Sequence, residues 1–218
     1  MKNPGILIVG LIVLIAAGCT ETKTTYYPSG KVMSVIEYTG KKISGNAIWF
    51  YENGAKQQEA IYKRDKPDGL MSRWYANGVK QSEETYANGL KNGKSITWDE
   101  NGNKVDEKYY VNDTLNGSYA FWYPTGMIKI SGSFREGLYD GKWEYYNETG
   151  VKVGEGQYVK GNGKLTALHA NGSVSRVINY ENNLKQGKEI VYNINGTIIE
   201  TIVYDKGKVV SVAKPDKR

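Results

Sequence analysis

Along most of this chain polar and apolar residues alternate at a spacing of two, and the pattern restarts on a fixed period. A large residue stands four positions before the turn glycine of every unit after the first, at Phe50, Trp74, Trp98, Trp122, Tyr146, Leu168 and Tyr192. Two positions further back come Ile48, Ser72, Ile96, Ala120, Glu144, Thr166 and Ile190, with Trp49, Arg73, Thr97, Phe121, Tyr145, Ala167 and Val191 on the opposite side. A period of two predicts β-strands, and because neither side is cleanly apolar the strands are expected to be half-buried on both faces.

Turn signals set the period. Ser29-Gly30, Asn53-Gly54, Asn77-Gly78, Asn101-Gly102, Thr125-Gly126, Thr149-Gly150, Asn171-Gly172 and Asn195-Gly196 place glycines 24, 24, 24, 24, 24, 22 and 24 residues apart. Eight residues after each glycine stands an aromatic packing column: Tyr38, Tyr62, Tyr86, Tyr110, Phe134, Tyr158, Tyr180 and Tyr204. A second glycine follows the first by 15 residues (Gly45, Gly69, Gly93, Gly117, Gly141, Gly187), or by 13 at Gly163. Asn-Gly is a strong hairpin signal because both residues tolerate positive φ, so each unit reads as strand, tight turn, strand and a looser glycine-bearing connection such as Lys63 to Gly69. Glycines this frequent exclude long helices, each costing about 1 kcal/mol in a helix interior. The predicted fold is all-β: an elongated single-layer antiparallel meander of tandem hairpin repeats of about 24 residues, each touching mainly its neighbours. The array is expected over 26–210, after a short tether at 19–25 and before a charged C-terminal tail at 211–218.

Segments such as Asp68-Gly69-Leu70-Met71-Ser72-Arg73-Trp74-Tyr75-Ala76-Asn77-Gly78 and Asp140-Gly141-Lys142-Trp143-Glu144-Tyr145-Tyr146-Asn147-Glu148-Thr149-Gly150 resemble the bacterial variant of the MORN repeat. In that family a Gly-x-x-x-x-aromatic strand runs into a Tyr-x-Asn-Gly turn, and arrays form a meandering antiparallel sheet. The resemblance implies an antitoxin-like protein. The eukaryotic His-Gly-x-Gly segment is missing, and phosphoinositide binding is not carried over.

The N-terminus departs from the repeat. Lys2, an apolar run from Ile6 to Ala17 and the small residues Ala16-Ala17-Gly18 before Cys19 read as a secretory signal over 1–18, too short to span a bilayer. Ile15-Ala16-Ala17-Gly18-Cys19 resembles the bacterial lipobox, with Ala16 where Leu is usual, which makes Cys19 the lipidation site. Thr20 in place of Asp resembles the pattern that favours the outer membrane. The expected location is the bacterial cell envelope, membrane-anchored through lipid on Cys19.

Composition narrows the chemistry. One Cys and one His in 218 residues exclude an intramolecular disulfide and a His/Cys zinc cluster. Gly89-Leu90-Lys91-Asn92-Gly93-Lys94-Ser95 misses the phosphate-loop spacing by one residue, and Asp99-Glu100-Asn101-Gly102-Asn103 lacks the later ligands of a calcium loop. Neither a catalytic residue, nor a cofactor, nor a metal site is expected. His169 reads as an exposed turn-flanking residue, and Glu83-Glu84 and Asp106-Glu107 as solvent-facing strand residues. The formal charge of +6 includes Lys56, Lys80, Lys104 and Lys152 just after turns, where Lys guards sheet edges; export argues against nucleic acid. Specificity is expected at the variable positions Arg73, Asp99, Asn147 and His169. The leading expectation is a non-catalytic envelope scaffold that binds a protein or a cell-wall glycan. The rivals are a toxin-neutralising immunity protein and a carbohydrate-active or carbohydrate-binding protein.

Overall fold

The computed structural model describes residues 20–215. The predicted signal peptide over 1–18, Cys19 and the last three tail residues lie outside the described residues. Eighteen strands and no helix occur among the described residues, so the all-β hairpin repeat is as expected, and strands such as β2 to β5 run to eight or nine residues. The segment expected as a tether is β1 (Thr20–Tyr26), paired along its length with β2 (Val32–Thr39). The start of the expected tail belongs to β18 (Lys208–Ala213).

The chain divides into two units, with the division falling near β8 (Lys104–Val111). The first unit holds β1, β2, β3 (Lys42–Phe50), β4 (Lys56–Lys63), β5 (Lys66–Trp74), β6 (Lys80–Ala87) and β7 (Leu90–Trp98). The second holds β9 (Thr114–Trp122), β10 (Ile128–Arg135), β11 (Leu138–Tyr146), β12 (Lys152–Val159), β13 (Asn162–Leu168) and β14 (Val174–Glu181). It continues through β15 (Leu184–Lys185), β16 (Gly187–Tyr192), β17 (Ile198–Asp205) and β18. Each unit is an open antiparallel meander in which successive strands pair.

The two kinds of connection exchange the roles expected of them. At the eight glycines of the turn column only glycine has positive φ, between 80° and 89°; the preceding residue does not. Tyr51 N–H donates to Ala55 O and Gly54 N–H to Tyr51 O, and the same pair of bonds recurs at all eight turns. This is a three-residue loop, a simple turn closed by a left-handed glycine. The Asn side chain serves hydrogen bonding: Asn53 Oδ1 accepts from Ala55 N–H, and its Nδ2 donates to Ala76 O of the following repeat at 2.7 Å.

The two-residue turns lie at the other end of the strands, where the looser connection was expected. Arg64-Asp65, Asn112-Asp113 and Asn182-Asn183 have both residues at positive φ, as do Glu136-Gly137 and Lys160-Gly161. A left-handed residue other than glycine costs about 1–2 kcal/mol. That cost is offset by a bond to the preceding repeat: Asp65 N–H to Ile43 O, Asp113 N–H to Lys91 O and Gly137 N–H to Leu115 O, at 2.8–2.9 Å. Asp65 Oδ1 completes the pair by accepting from Ile43 N–H. The second glycine column lies inside strands, at bulges such as the one where Ser44, Gly45 and Asn46 stand opposite Glu37 alone. A side chain at Gly69 would press on Ile61 at 3.3 Å.

In the first unit, with Ser72 the exception on the other side, registers place the buried residues on one face. Ile36, Ala47, Ala60, Met71, Glu84 and Ser95 are cross-strand neighbours in sequence and form a line down its centre. This first face also carries Tyr38, Tyr62 and Tyr86, all half-buried. Within the second unit the buried Trp143, Tyr158 and Ile178 likewise share one face. The packing column is therefore a flank of the core and not the core itself, with Tyr158, 2% exposed, as its one buried member among the described residues. The second face carries Phe50, Trp74 and Trp98. Lys56 Nζ lies 5.2 Å from the Trp74 ring and Lys80 Nζ 5.8 Å from that of Trp98, and these lysines also bond Glu59 and Glu83 at 2.7 and 2.5 Å. Two of the post-turn lysines expected to guard edges, Lys56 and Lys80, thus bridge one repeat to the next, and their charge is balanced within the sheet.

Candidate binding cleft

Each hairpin pairs with one residue too many after its three-residue turn. Trp49 faces Gln58 while Phe50 faces Lys56, so Gln57 is a bulge; Gln81 is the equivalent residue one repeat later. A bulge re-aims its side chain. Lys129 at the same position in the second unit shows the direction, its Nζ lying 5.5 Å from the Phe121 ring and 5.1 Å from that of Tyr123. Those rings occupy the positions of Trp49 and Tyr51. Gln57 lines the same depression as Trp49 and Tyr51.

The outcome in the first unit is a shallow, open depression of about 330 Å³ lined by Trp49, Tyr51, Gln57, Gln58, Arg73 and Gln81. Trp49, Gln58 and Arg73 stand side by side on β3, β4 and β5, and the neighbouring repeats supply the rest. Several of these groups are held in place. Tyr51 Oη donates to Trp74 O at 2.8 Å, and Trp49 packs edge-to-face on Tyr62 with centroids 6.2 Å apart. Arg73 donates from Nε to Gln58 Oε1 at 3.0 Å and from Nη1 to Glu84 Oε2 at 2.8 Å. The carboxamides of Gln57 and Gln81 have no partner among the described residues.

Glu84 anchors this side of the cleft. It is 7% exposed and receives Arg73, the Lys91 ammonium and, at 3.0 Å, the Tyr86 hydroxyl. Alternation suggested a solvent-facing carboxylate; instead both faces of the sheet are half-covered, Met71 lies across from Glu84, and Arg73, paired with Ser82, reaches it diagonally. Burial pushes the Glu84 carboxyl up, but the bonds from Lys91, Tyr86 and Arg73 more than reverse this and leave it below its usual value of 4.5. The unfolded chain therefore binds the proton more tightly than the folded one. The stability Glu84 contributes is complete above about pH 4.5 and is lost as pH falls through the lower folded value. Urea midpoints followed from about pH 6 to 3 should decline across that window, and Glu84→Gln should flatten the decline.

The other predicted positions disperse. Asp99 and Asn147 cap their own turns: Asp99 Oδ1 accepts from Asn101 and Asn103 N–H, and Asn147 Oδ1 from Thr149 and Val151 N–H. His169 is half-buried, not exposed, and its Nε2 donates to Tyr192 O at 3.1 Å, where Tyr51 and Tyr75 use a hydroxyl on the next repeat. Asp106 is not solvent-facing either: its Oδ1 is buried without a partner and its Oδ2 lies 3.2 Å from Lys108. Gly93 is a strand bulge residue and Lys91 is committed to Glu84. No grouping of three His, Cys, Asp or Glu side chains able to hold a metal occurs among the described residues, and no helix there is long and apolar enough to cross a membrane. Of the four predicted specificity positions only Arg73 joins the cleft. Trp49 and the bulged glutamines escape a reading by strict alternation, although Gln57 and Gln81 repeat at the 24-residue period.

No match was found among curated proteins. Residues 22–39, 44–64, 67–88 and 91–112, which include all six residues lining the cleft, each match the MORN repeat variant family.

Proposed function

We propose that the protein is a non-catalytic binding scaffold of the bacterial cell envelope, held to the membrane, in our reading the outer membrane, by lipid on Cys19, and that its repeat array presents side chains to a protein or cell-wall partner. The observation that carries the binding role is the division of labour within the repeat. Glycine turns, cross-repeat bonds at both strand ends and the central line of one face hold the backbone. The bulge positions are left to vary, as Gln57, Gln81 and Lys129 do, outside the paired registers of the frame. A MORN-type all-β array is compatible with such a role. Binding sites built on regular elements lose less entropy on association than sites on free loops.

The anchor rests on the sequence before Thr20. Cys19→Ala is expected to abolish fatty-acid labelling and to move the protein from the membrane to the soluble fraction; a variant that stays acylated and membrane-bound refutes the anchor. Crosslinking in intact envelopes tests the scaffold, which requires a stoichiometric protein or glycan adduct.

A further inference from the structure

We propose that the cleft formed by Trp49, Tyr51, Gln57, Gln58, Arg73 and Gln81 binds one neutral hexopyranose ring of a glycan. The inference deepens the scaffold reading and rests on it.

Four features select this ligand. The volume, about 330 Å³, lies at the small end of the range for ligand clefts, about 300–1,000 Å³, which suits one ring and not an extended chain. An indole at Trp49 and a phenol ring at Tyr51 supply flat apolar area of the kind that covers the C–H face of a sugar, and the fixed Tyr51 hydroxyl holds its ring without using ligand contacts. Three carboxamides, Gln57, Gln58 and Gln81, each combine a donor and an acceptor, matching hydroxyl groups that do both. Gln58 is already oriented: its Oε1 accepts from Arg73 Nε at 3.0 Å, which leaves its amide N–H groups for the ligand.

Charge and topology exclude the main competitors. Arg73 is paired with Glu84, which also takes Lys91, so the cleft offers no uncommitted cation to a phosphate or carboxylate. An extended peptide adding to the sheet needs a free edge, and β3, β4, β5 and β6 are paired on both sides. The combination is also local. One repeat on, the positions of Trp49, Tyr51 and Gln57 hold Arg73, Tyr75 and Gln81, and two repeats on Thr97, Asp99 and Val105, so the indole and the glutamines meet once in the first unit.

The test titrates the acylated full-length protein in detergent micelles with cellotriose, chitotriose or adenosine, following the Trp49 indole N–H resonance, assigned with Trp49→Phe. The expected result is a saturable shift with at least one trisaccharide at a Kd of about 1 mM and a weaker response to adenosine. Gln57→Ala/Gln81→Ala, at positions where no folding contact is lost, should weaken binding about tenfold, equal to about 1.4 kcal/mol, with an unchanged melting curve. Trp49→Ala should abolish it. The proposal is overturned by no shift with either trisaccharide, by stronger binding of adenosine, or by saccharide binding that the double glutamine variant leaves intact. If a protein adduct survives in intact envelopes while saccharides fail, the glycan cleft is refuted and the scaffold reading stands; loss of every adduct removes both.

Discussion

Trp143→Ala is expected to lower the unfolding free energy by about 3–5 kcal/mol, read as a fall in the urea midpoint at unchanged slope. Trp143 is 3% exposed in a unit that has few buried residues. Its ring centroid lies 5.6 Å from Tyr119, 5.0 Å from Phe134 and 4.7 Å from Tyr139, and its Nε1 donates to Ser133 O at 3.1 Å. The indole lies over Gly132, where an added Cβ would occupy the same space as the ring. Truncation therefore removes the largest apolar area of the cluster and bares a glycine backbone beneath it. The same geometry makes a second result follow. Gly132→Ala alone should destabilise by about 1–3 kcal/mol through overpacking. In the Trp143→Ala background it should be neutral or favourable, because the obstacle is gone and Ala fits a strand better than Gly. Additive effects of the two substitutions would show that the ring and the glycine do not depend on each other.

Why glycine recurs here, and why the period was readable at all, have one answer. An open sheet with two half-covered faces must repeat its backbone devices wherever it repeats a strand, so the turn column and the aromatic column stand out in the bare sequence. The two-residue turns were only partly legible: their second residue is always Asp, Asn or Gly, but the first ranges over Arg64, Asn88, Glu136 and Lys160. What selects their conformation is a hydrogen bond to the repeat before, a contact about 22 residues away in the chain. The cleft was legible only in Arg73. Trp49 and Gln57 are eight residues apart, and strict alternation separates them; a one-residue bulge after the turn reverses that. Glu84 was misread for a related reason. Alternation tells which face a residue occupies, but only the registers show that this face buries its centre and brings Arg73 and Lys91 to the carboxylate.

Glu189→Ala is expected to cost about 2–3 kcal/mol, below the 3–5 kcal/mol usual for breaking a buried ion pair, because its cations can turn to water once released. Glu189 is 0% exposed. Arg176 Nη1 lies 2.5 Å from its Oε1 and Lys185 Nζ 2.8 Å from its Oε2, while the side chains of Arg176 and Lys185 remain 42% and 30% exposed. Lys185 also donates to Tyr204 Oη at 3.3 Å and lies 4.7 Å from the centroid of that ring. Across the strands Glu189 faces Ile202, on the face of the second unit that also carries Ile178, where an apolar residue would be expected. Replacing the triad with apolar residues, as Glu189→Leu/Arg176→Leu/Lys185→Leu, should therefore recover most or all of the lost stability, since no charge is then left buried and desolvation is avoided. The carboxylate would on this account serve to fix register: a slip of one residue would move Glu189 to the other face, away from Arg176 and Lys185, and the fold would lose the pairing. Hydrogen exchange on β16 and β17 separates the two roles. The triple variant should be as stable as the parent yet exchange faster there through slipped pairings. If it is instead as unstable as Glu189→Ala with exchange unchanged, the ion triad acts through stability and the register account fails.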